Sequence, residues 1–440
     1  ISVDTPNVFN EGSPFVTTCP FGPNTSYTYS DFFAHGFFPS TTFFHYRYHS
    51  QLSLQYADGL RVAFVIYDPE DPQAHLYDVD DESTIWTVAD WWHNTSVSGL
   101  ASYNATQIIP GLFNGAGRYQ GGPEVPYAVQ TVTTGTRYRF RIINLSARAD
   151  FVVSIDNRMS STFSMSSATT SLYVINCNIT MSFFSYLYLQ VTADQPIGNY
   201  WINAIPQGGN PAHNLNFNST LGRGILRYEG APAEEPATPM TLGPQDANLL
   251  NEADLHPLNP IPASISHFAA PEPNYILDLT TSMPVDLTVW EINSISYIPP
   301  TVPTLIKILD GASNASDFDV HENTFVFEKN KVVENLRLTF FPTFHLHGNK
   351  FWVIKSNATD TVNTVNPIIR DVRYPSSTGS GGTIFRFTTD KPVFWHFVAG
   401  LGSVMVSDPE AIREQVHPTD AWGEYDALCP AYNALPPSEQ

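Results

Sequence analysis

Runs of aromatic and β-branched residues, roughly four to eight long and bounded by Gly, Pro, Asn, Asp and Ser, recur along the chain and predict strands. The clearest are Thr41 to Tyr48, Leu60 to Tyr67, residues 84–91, Arg137 to Ile143, Tyr200 to Asn203 and Ile225 to Tyr228, followed by a further set over about 275–410. Helical periodicity is nearly absent, with room for one short helix in the turn-rich tail after Pro418. Many short strands with frequent turn signals predict an all-β protein, most simply three sandwiches in tandem.

Turn clusters divide the set. Asp68-Pro69-Glu70-Asp71-Pro72 closes the first group, and the Gly/Ala/Pro/Glu-rich residues 230–245 read as an interdomain linker. The expected division is 1–72, 73–232, a linker over 233–250, and 251–440. Residues 1–72 are short for a sandwich of about 100 residues, so the first domain is expected to be truncated at its N-terminal side. Asp78-Val79-Asp80-Asp81-Glu82 lacks the glycine and closing glutamate of a calcium loop and reads as a solvated connector.

The stretch Phe340 to Ile354 is expected to be a strand interrupted at Gly348. Residues two apart on a strand share a face, so His345 and His347 point together and Leu346 points away. Paired imidazoles are half of a site for copper, zinc, iron or nickel. The plainer alternative is two histidines that alternate with no metal between them.

Composition narrows the setting. With Lys+Arg 21 against Asp+Glu 42 the formal charge is −21, which argues against nucleic acid or an anionic membrane as a partner. No apolar run is long enough to span a bilayer. Ile1-Ser2-Val3-Asp4 is no signal peptide, so the chain is expected to be mature or to lack its front. N-x-S/T triplets begin at Asn24, Asn94, Asn104, Asn144, Asn178, Asn218, Asn314 and Asn357, more than chance suggests for a cytosolic chain. In an oxidising compartment Cys19, Cys177 and Cys429 predict one disulfide and one buried thiol, and Cys177, in a strand-like run, suits the latter.

Longer matches now carry weight. They include Tyr48-His49-Ser50-Gln51-Leu52, Gln55-Tyr56-Ala57-Asp58-Gly59-Leu60-Arg61, Tyr67 to Pro72, Leu76 to Asp81, Ala89-Asp90-Trp91 and Asn114 to Tyr119. Arg137 to Arg141, Ser154-Ile155-Asp156, Pro299 to Pro303, Phe344 to Gly348 and Leu428 to Tyr432 complete the set. With these the chain resembles the fungal laccases, multicopper oxidases built from three cupredoxin-like Greek-key β-sandwiches. The resemblance implies a secreted, monomeric copper enzyme. Its type 1 copper takes single electrons from phenols or aromatic amines, and a trinuclear cluster held by His-x-His pairs reduces dioxygen to water.

Carried over residue by residue, the resemblance implies that His345 is a type 2 ligand and that His347, His49 and His396 are further cluster ligands. It also implies a Cys19–Cys429 disulfide. Elsewhere the chain departs from the family. Gln51 stands where the partner of His49 is expected, Pro342 where a type 1 histidine is expected, and Arg148 near an acidic substrate-orienting position. The segment Phe394-Trp395-His396-Phe397-Val398-Ala399-Gly400-Leu401 lacks the cysteine and later histidines, though Leu401 fits the axial place. His35 and His45 match no ligand, and Ala57 and Ala147 replace a second family disulfide together. The family carries four coppers; the ligands left here support one or few. Three readings follow: a working laccase-type oxidase, a secreted non-catalytic relative holding at most one copper, or an ordinary laccase of which this sequence is an incomplete version.

Overall fold

The structure is a computed structural model. It describes residues 13–26, 44–96 (less 54, 68, 70, 72 and 94), 111–156 (less 148), 161–165, 173–174, 179–181, 186–207, 218–238, 273–278, 281–282, 291–338, 344–355 (less 348), 362–373, 383–389, 394–396, 402–415 and 428–436. Two compact units emerge, one of residues 1–37 with 260–440, the other of 38–259. That division is coarser than three sandwiches, and it places the first residues with the last.

In the unit 38–259, β1 (Phe44–His49) and β2 (Arg61–Ile66) form a two-stranded antiparallel sheet. The strands β3 (Ile85–Asp90), β4 (Gly111–Phe113), β5 (Val129–Val132), β6 (Arg137–Asn144) and β7 (Asp150–Ile155) follow. Next come β8 (Ser161–Met165), β9 (Tyr173–Val174), β10 (Ile179–Met181), β11 (Tyr186–Thr192), β12 (Asn199–Gln207) and β13 (Arg223–Tyr228). They build a six-stranded sheet, β4-β3-β6-β11-β8-β9, and a five-stranded one, β10-β7-β12-β13-β5. The sheets face each other as a sandwich requires. Trp86 Nε1 of the first donates to Gln130 Oε1 of the second at 2.8 Å. Gly224 is glycine because a Cβ there would run into the Phe113 ring of the opposite sheet. Between them Trp86 stacks on Phe140 at 4.2 Å, both fully buried.

The acidic stretch expected as a solvated connector is instead built into this unit. β6 alternates Arg137, Arg139 and Arg141, and period two brings these three to one face. Arg139 Nη1 donates to Asp71 Oδ2 at 2.5 Å and Nη2 to Gln73 Oε1 at 3.0 Å. The Arg141 guanidinium is paired through Nε (2.5 Å) and Nη2 with the Asp80 carboxylate. Both guanidiniums lie within 5.0 Å of the Tyr188 ring, and Arg139 also lies over Tyr77 at 4.2 Å. Side chains of Arg139, Arg141, Asp71 and Asp80 are at most 4% exposed. Arg137 pairs with Asp78 at the surface (2.6 Å). The reading as a connector fails because periodicity along one segment does not reveal charge partners some sixty residues away.

The described part of the expected linker, up to residue 238, is held too. Asn199 Nδ2 donates to the Pro232 carbonyl (2.9 Å), Arg118 pairs with Glu235 (2.6 Å), and Trp201 Nε1 donates to the Thr238 carbonyl (3.0 Å). Burial there pushes the Asp156 carboxyl up despite hydrogen bonds from Asn203 and Thr238.

The unit of residues 1–37 and 260–440 contains β14 (Tyr275–Asp278), β15 (Thr281–Ser282), β16 (Glu291–Ile292), β17 (Ile295–Ser296), β18 (Thr324–Phe327), β19 (Val332–Leu338) and β20 (Phe344–His345). β21 (Phe351–Lys355), β22 (Ile369–Arg370), β23 (Val372–Arg373), β24 (Thr383–Thr388), β25 (Phe394–His396) and β26 (Val404–Ser407) complete it. The main sheet is β14-β19-β24-β21-β22; β18-β26-β25, β15-β16-β17 and β20-β23 are smaller. A short helix, Thr304–Leu309, begins just after Pro303 and was not signalled by periodicity; its Thr304 and Leu305 amides donate to the carbonyls of Phe15 and Val16. Cys19 and Cys429 are joined, as the resemblance implied, and Phe15 meets Tyr432 ring to ring at 5.7 Å. Residues 428–433 are helical, within the tail where one short helix was expected. Cys177 lies outside the described residues.

Replacing Arg139 with methionine strands a buried carboxylate at Asp71, and is expected to cost about 3–5 kcal/mol, read as a lowered denaturant midpoint. Hydrogen bonds from Arg137 lower the Asp78 pKa to about 2. A folded-state pKa below the unfolded one adds stability above the unfolded value of about 3.9, and loses it as pH falls through the folded value. The melting-temperature gap between wild type and Asp78→Asn is therefore expected to close between about pH 4 and pH 2.

Candidate metal centre

β20 is only two residues long. It pairs with β23, placing Phe344 opposite Arg373 and His345 opposite Val372. The strand expected from 340 to 354 with an interruption at Gly348 is found, in its described part, as two short pieces, β20 ending at His345 and β21 starting at Phe351. One carbonyl organises this break. Asp371 O accepts the Leu346 amide at 2.8 Å and faces His345 Nδ1 at 2.9 Å. The rings of His345 and His347 lie together, centroids 4.7 Å apart and planes at 45°. His345 is 7% exposed and His347 1%, and Leu346 between them is equally buried.

His49 closes β1, opposite Arg61 of β2. Its Nδ1 lies 2.8 Å from the Ser50 carbonyl, and the Tyr56 ring meets it edge-on at 6.0 Å. In both His49 and His345, then, Nδ1 has a backbone carbonyl as partner and carries a proton. In the neutral ring this puts the lone pair on Nε2, a tautomer that can bind a metal. Gln51, two residues on from His49, offers an amide where an imidazole would be needed.

His396 ends β25, opposite Val404 of β26; its side chain lies outside the described residues, as do Pro342, Leu401, Arg148 and His35. His45 lies on β1, with its side chain likewise undescribed. Among the described residues no group of three or more His, Cys, Asp or Glu side chains stands ready to enclose a metal. The structure thus brings two of the expected ligands together, His345 and His347.

Of the sequon asparagines, Asn24, Asn218 and Asn314 are exposed. Asn144 is a correction: it is fully buried, donating to the Ala149 carbonyl at 3.1 Å and accepting the Ser146 amide at 2.9 Å, which leaves no path for a glycan. Asn94, Asn104, Asn178 and Asn357 lie outside the described residues.

Known proteins supply the deciding observation. Residues 82–231 and 297–399 match models of the multicopper oxidase family. Laccase-2 of Agaricus bisporus is 40% identical over 447 residues, covering 98% of this chain and 82% of that protein. The chain belongs to the multicopper oxidases. The laccase-like protein claX of Ampulloclitocybe clavipes is 41% identical over 431 residues, covering 87% of this chain and 97% of that protein. The crystal structure of the Botrytis aclada laccase is similar in fold, with a TM-score of 0.77 at 23% identity over 98% of this chain and 81% of that one. The strand-dominated sandwiches expected from the sequence are therefore those of the multicopper oxidases.

Membership implies copper, and the described donors fit it in part. Two adjacent buried imidazoles, one with its tautomer set by a carbonyl, are the donor type copper takes. A type 1 site also needs a thiolate: Cys19 and Cys429 are spent on each other, and Cys177 lies outside the described residues. Sequence reasoning missed the Asp371 carbonyl at His345 and the buried pair of Asp90 with Arg61, the residue opposite His49. For the second, a signal was present in the lone arginine opening an apolar strand.

Replacing His345 or His347 with alanine is expected to weaken Cu(II) retention by more than the roughly 10–100-fold typical of an outer-shell partner. Dialysis against a graded chelator, followed by metal analysis, measures it, with circular dichroism confirming the fold.

Proposed function

We propose that this chain is a secreted copper oxidoreductase of the laccase class, with His49, His345, His347 and His396 as ligands. The reaction is one-electron oxidation of small phenols or aromatic amines with dioxygen as final acceptor. Bound copper supplies the redox chemistry. The observation that carries the reading is the buried His345/His347 pair, together with an Nδ1–carbonyl contact at both His345 and His49. In the neutral ring each backbone contact favours the tautomer with its proton on Nδ1, so that Nε2 is the nitrogen a metal would take without reorientation. Burial keeps bulk water from competing for the same nitrogens.

The name of the Agaricus bisporus relative supports the substrate class. The Cys19–Cys429 bridge and the exposed Asn24, Asn218 and Asn314 sequons support an oxidising, extracellular setting. A net charge of −21 favours neutral or cationic small molecules over nucleic acid, and we take the chain to act as a monomer. With the family's type 1 cysteine missing beside His396, the copper complement is one or few per chain.

Copper reconstitution of the purified glycoprotein tests this. The expected result is copper bound at less than the family's four per chain, no intense blue band, and oxygen uptake with a simple phenol that tracks copper content. Copper binding with no oxygen uptake would leave a copper-holding relative without catalysis. No copper binding would end the assignment.

A further inference from the structure

We infer that Arg61 is a positioning residue for His49, holding that imidazole in place through Asp90. The inference rests on His49 being a copper ligand, as proposed above. Among the described residues β1 and β2 form a sheet of two strands, and a two-stranded sheet is marginal without an anchor. Directly opposed residues of an antiparallel pair share a face, and His49 is opposed to Arg61. The neighbouring pair, Tyr48 and Val62, turns to the other face and is 37% and 53% exposed. His49 is 8% exposed and the Arg61 side chain 4%, so the ligand and the arginine share the face that is packed inward.

The anchor is a two-point grip. Arg61 Nη1 donates to Asp90 Oδ1 at 2.9 Å, and Nη2 donates to the Asp90 backbone carbonyl. Asp90 is itself immobile. It is fully buried at the end of β3, and its carboxylate accepts the amides of Ala147 (2.9 Å) and Ala149 (3.1 Å) beyond β6. β3 lies inside the six-stranded sheet between β4 and β6. Immediately past the pair, the Ser50 amide donates to the Leu60 carbonyl at 3.0 Å, and the Ser50 carbonyl faces His49 Nδ1. A short path therefore runs from the rigid sheet through Asp90 and Arg61 to the backbone that fixes the ring and tautomer of His49. A planar fork meets a carboxylate oxygen and a carbonyl with two bonds of fixed geometry, whereas the lysine ammonium is a rotatable point charge on a flexible stem, so lysine is no equal substitute.

Cu(II) affinity by chelator competition on the full chain tests it, comparing wild type with His49→Ala, Arg61→Lys, Arg61→Gln and Arg137→Gln. Arg61→Lys keeps the charge beside Asp90, so the fold survives, but it loses the fork; the dissociation constant is expected to rise about tenfold. Arg61→Gln is expected to approach His49→Ala, and Arg137→Gln, at the surface of the same unit, to match wild type. The nitrogen hyperfine pattern of the Cu(II) electron paramagnetic resonance spectrum should lose the same component in Arg61→Gln and His49→Ala. Wild-type affinity and spectrum in Arg61→Lys would overturn the inference, whether or not Arg61→Gln can be recovered folded. Wild-type affinity in His49→Ala would instead remove His49 from the ligands and so strike the proposed function itself.

Discussion

Three arginine–aspartate pairs kept out of solvent, Arg61–Asp90, Arg139–Asp71 and Arg141–Asp80, are what residues 61–80 depend on for their place. A two-stranded sheet has too little apolar surface to hold itself, so charge does part of what a core would do. Stripping water from such ions costs several kcal/mol each. The cost is met here by multiplicity: forked bonds, a glutamine at Arg139, and tyrosine faces beneath the guanidiniums. A hydrophobic contact tolerates sliding, whereas a fork closed on one carboxylate does not. The result is a segment whose register against the sheet is defined at three places.

The same economy appears at the histidines. At His49 and His345 a main-chain carbonyl meets Nδ1, that of the next residue, Ser50, at the first and that of Asp371, between β22 and β23, at the second. Carbonyls next to paired strands move little, so the neighbouring ladder helps to orient the ring. This links the short β20–β23 ladder to metal chemistry. Those two residue pairs add little to stability, yet they bring the Asp371 carbonyl to the ring.

Much of this was legible beforehand. The alternating apolar runs at residues 60–67 and 84–91 became β2 and β3, and the paired histidines proved adjacent and buried. The bridge between Cys19 and Cys429 followed from family likeness rather than from spacing. What was not legible is of one kind. Asp80 looked solvated, residues 230–245 looked like a spacer, and Asn144 looked like a glycan acceptor, because each was judged by its neighbours in sequence. Arg141, Trp201 and Ala149, which decide their states, are supplied by the fold. For Phe340 to Ile354 the interruption expected at Gly348 begins earlier among the described residues, after His345, where the Leu346 amide donates to the Asp371 carbonyl.

The covalent link between residues 19 and 429 has a topological result. With a sequence separation of 410 between its ends, it turns the whole stretch from Cys19 to Cys429 into a closed ring. A single cut by an external protease anywhere within that ring opens it without freeing a fragment. Any loop between the two cysteines can be nicked and the pieces still travel as one body. In surroundings rich in hydrolases, damage to one loop then remains a local event.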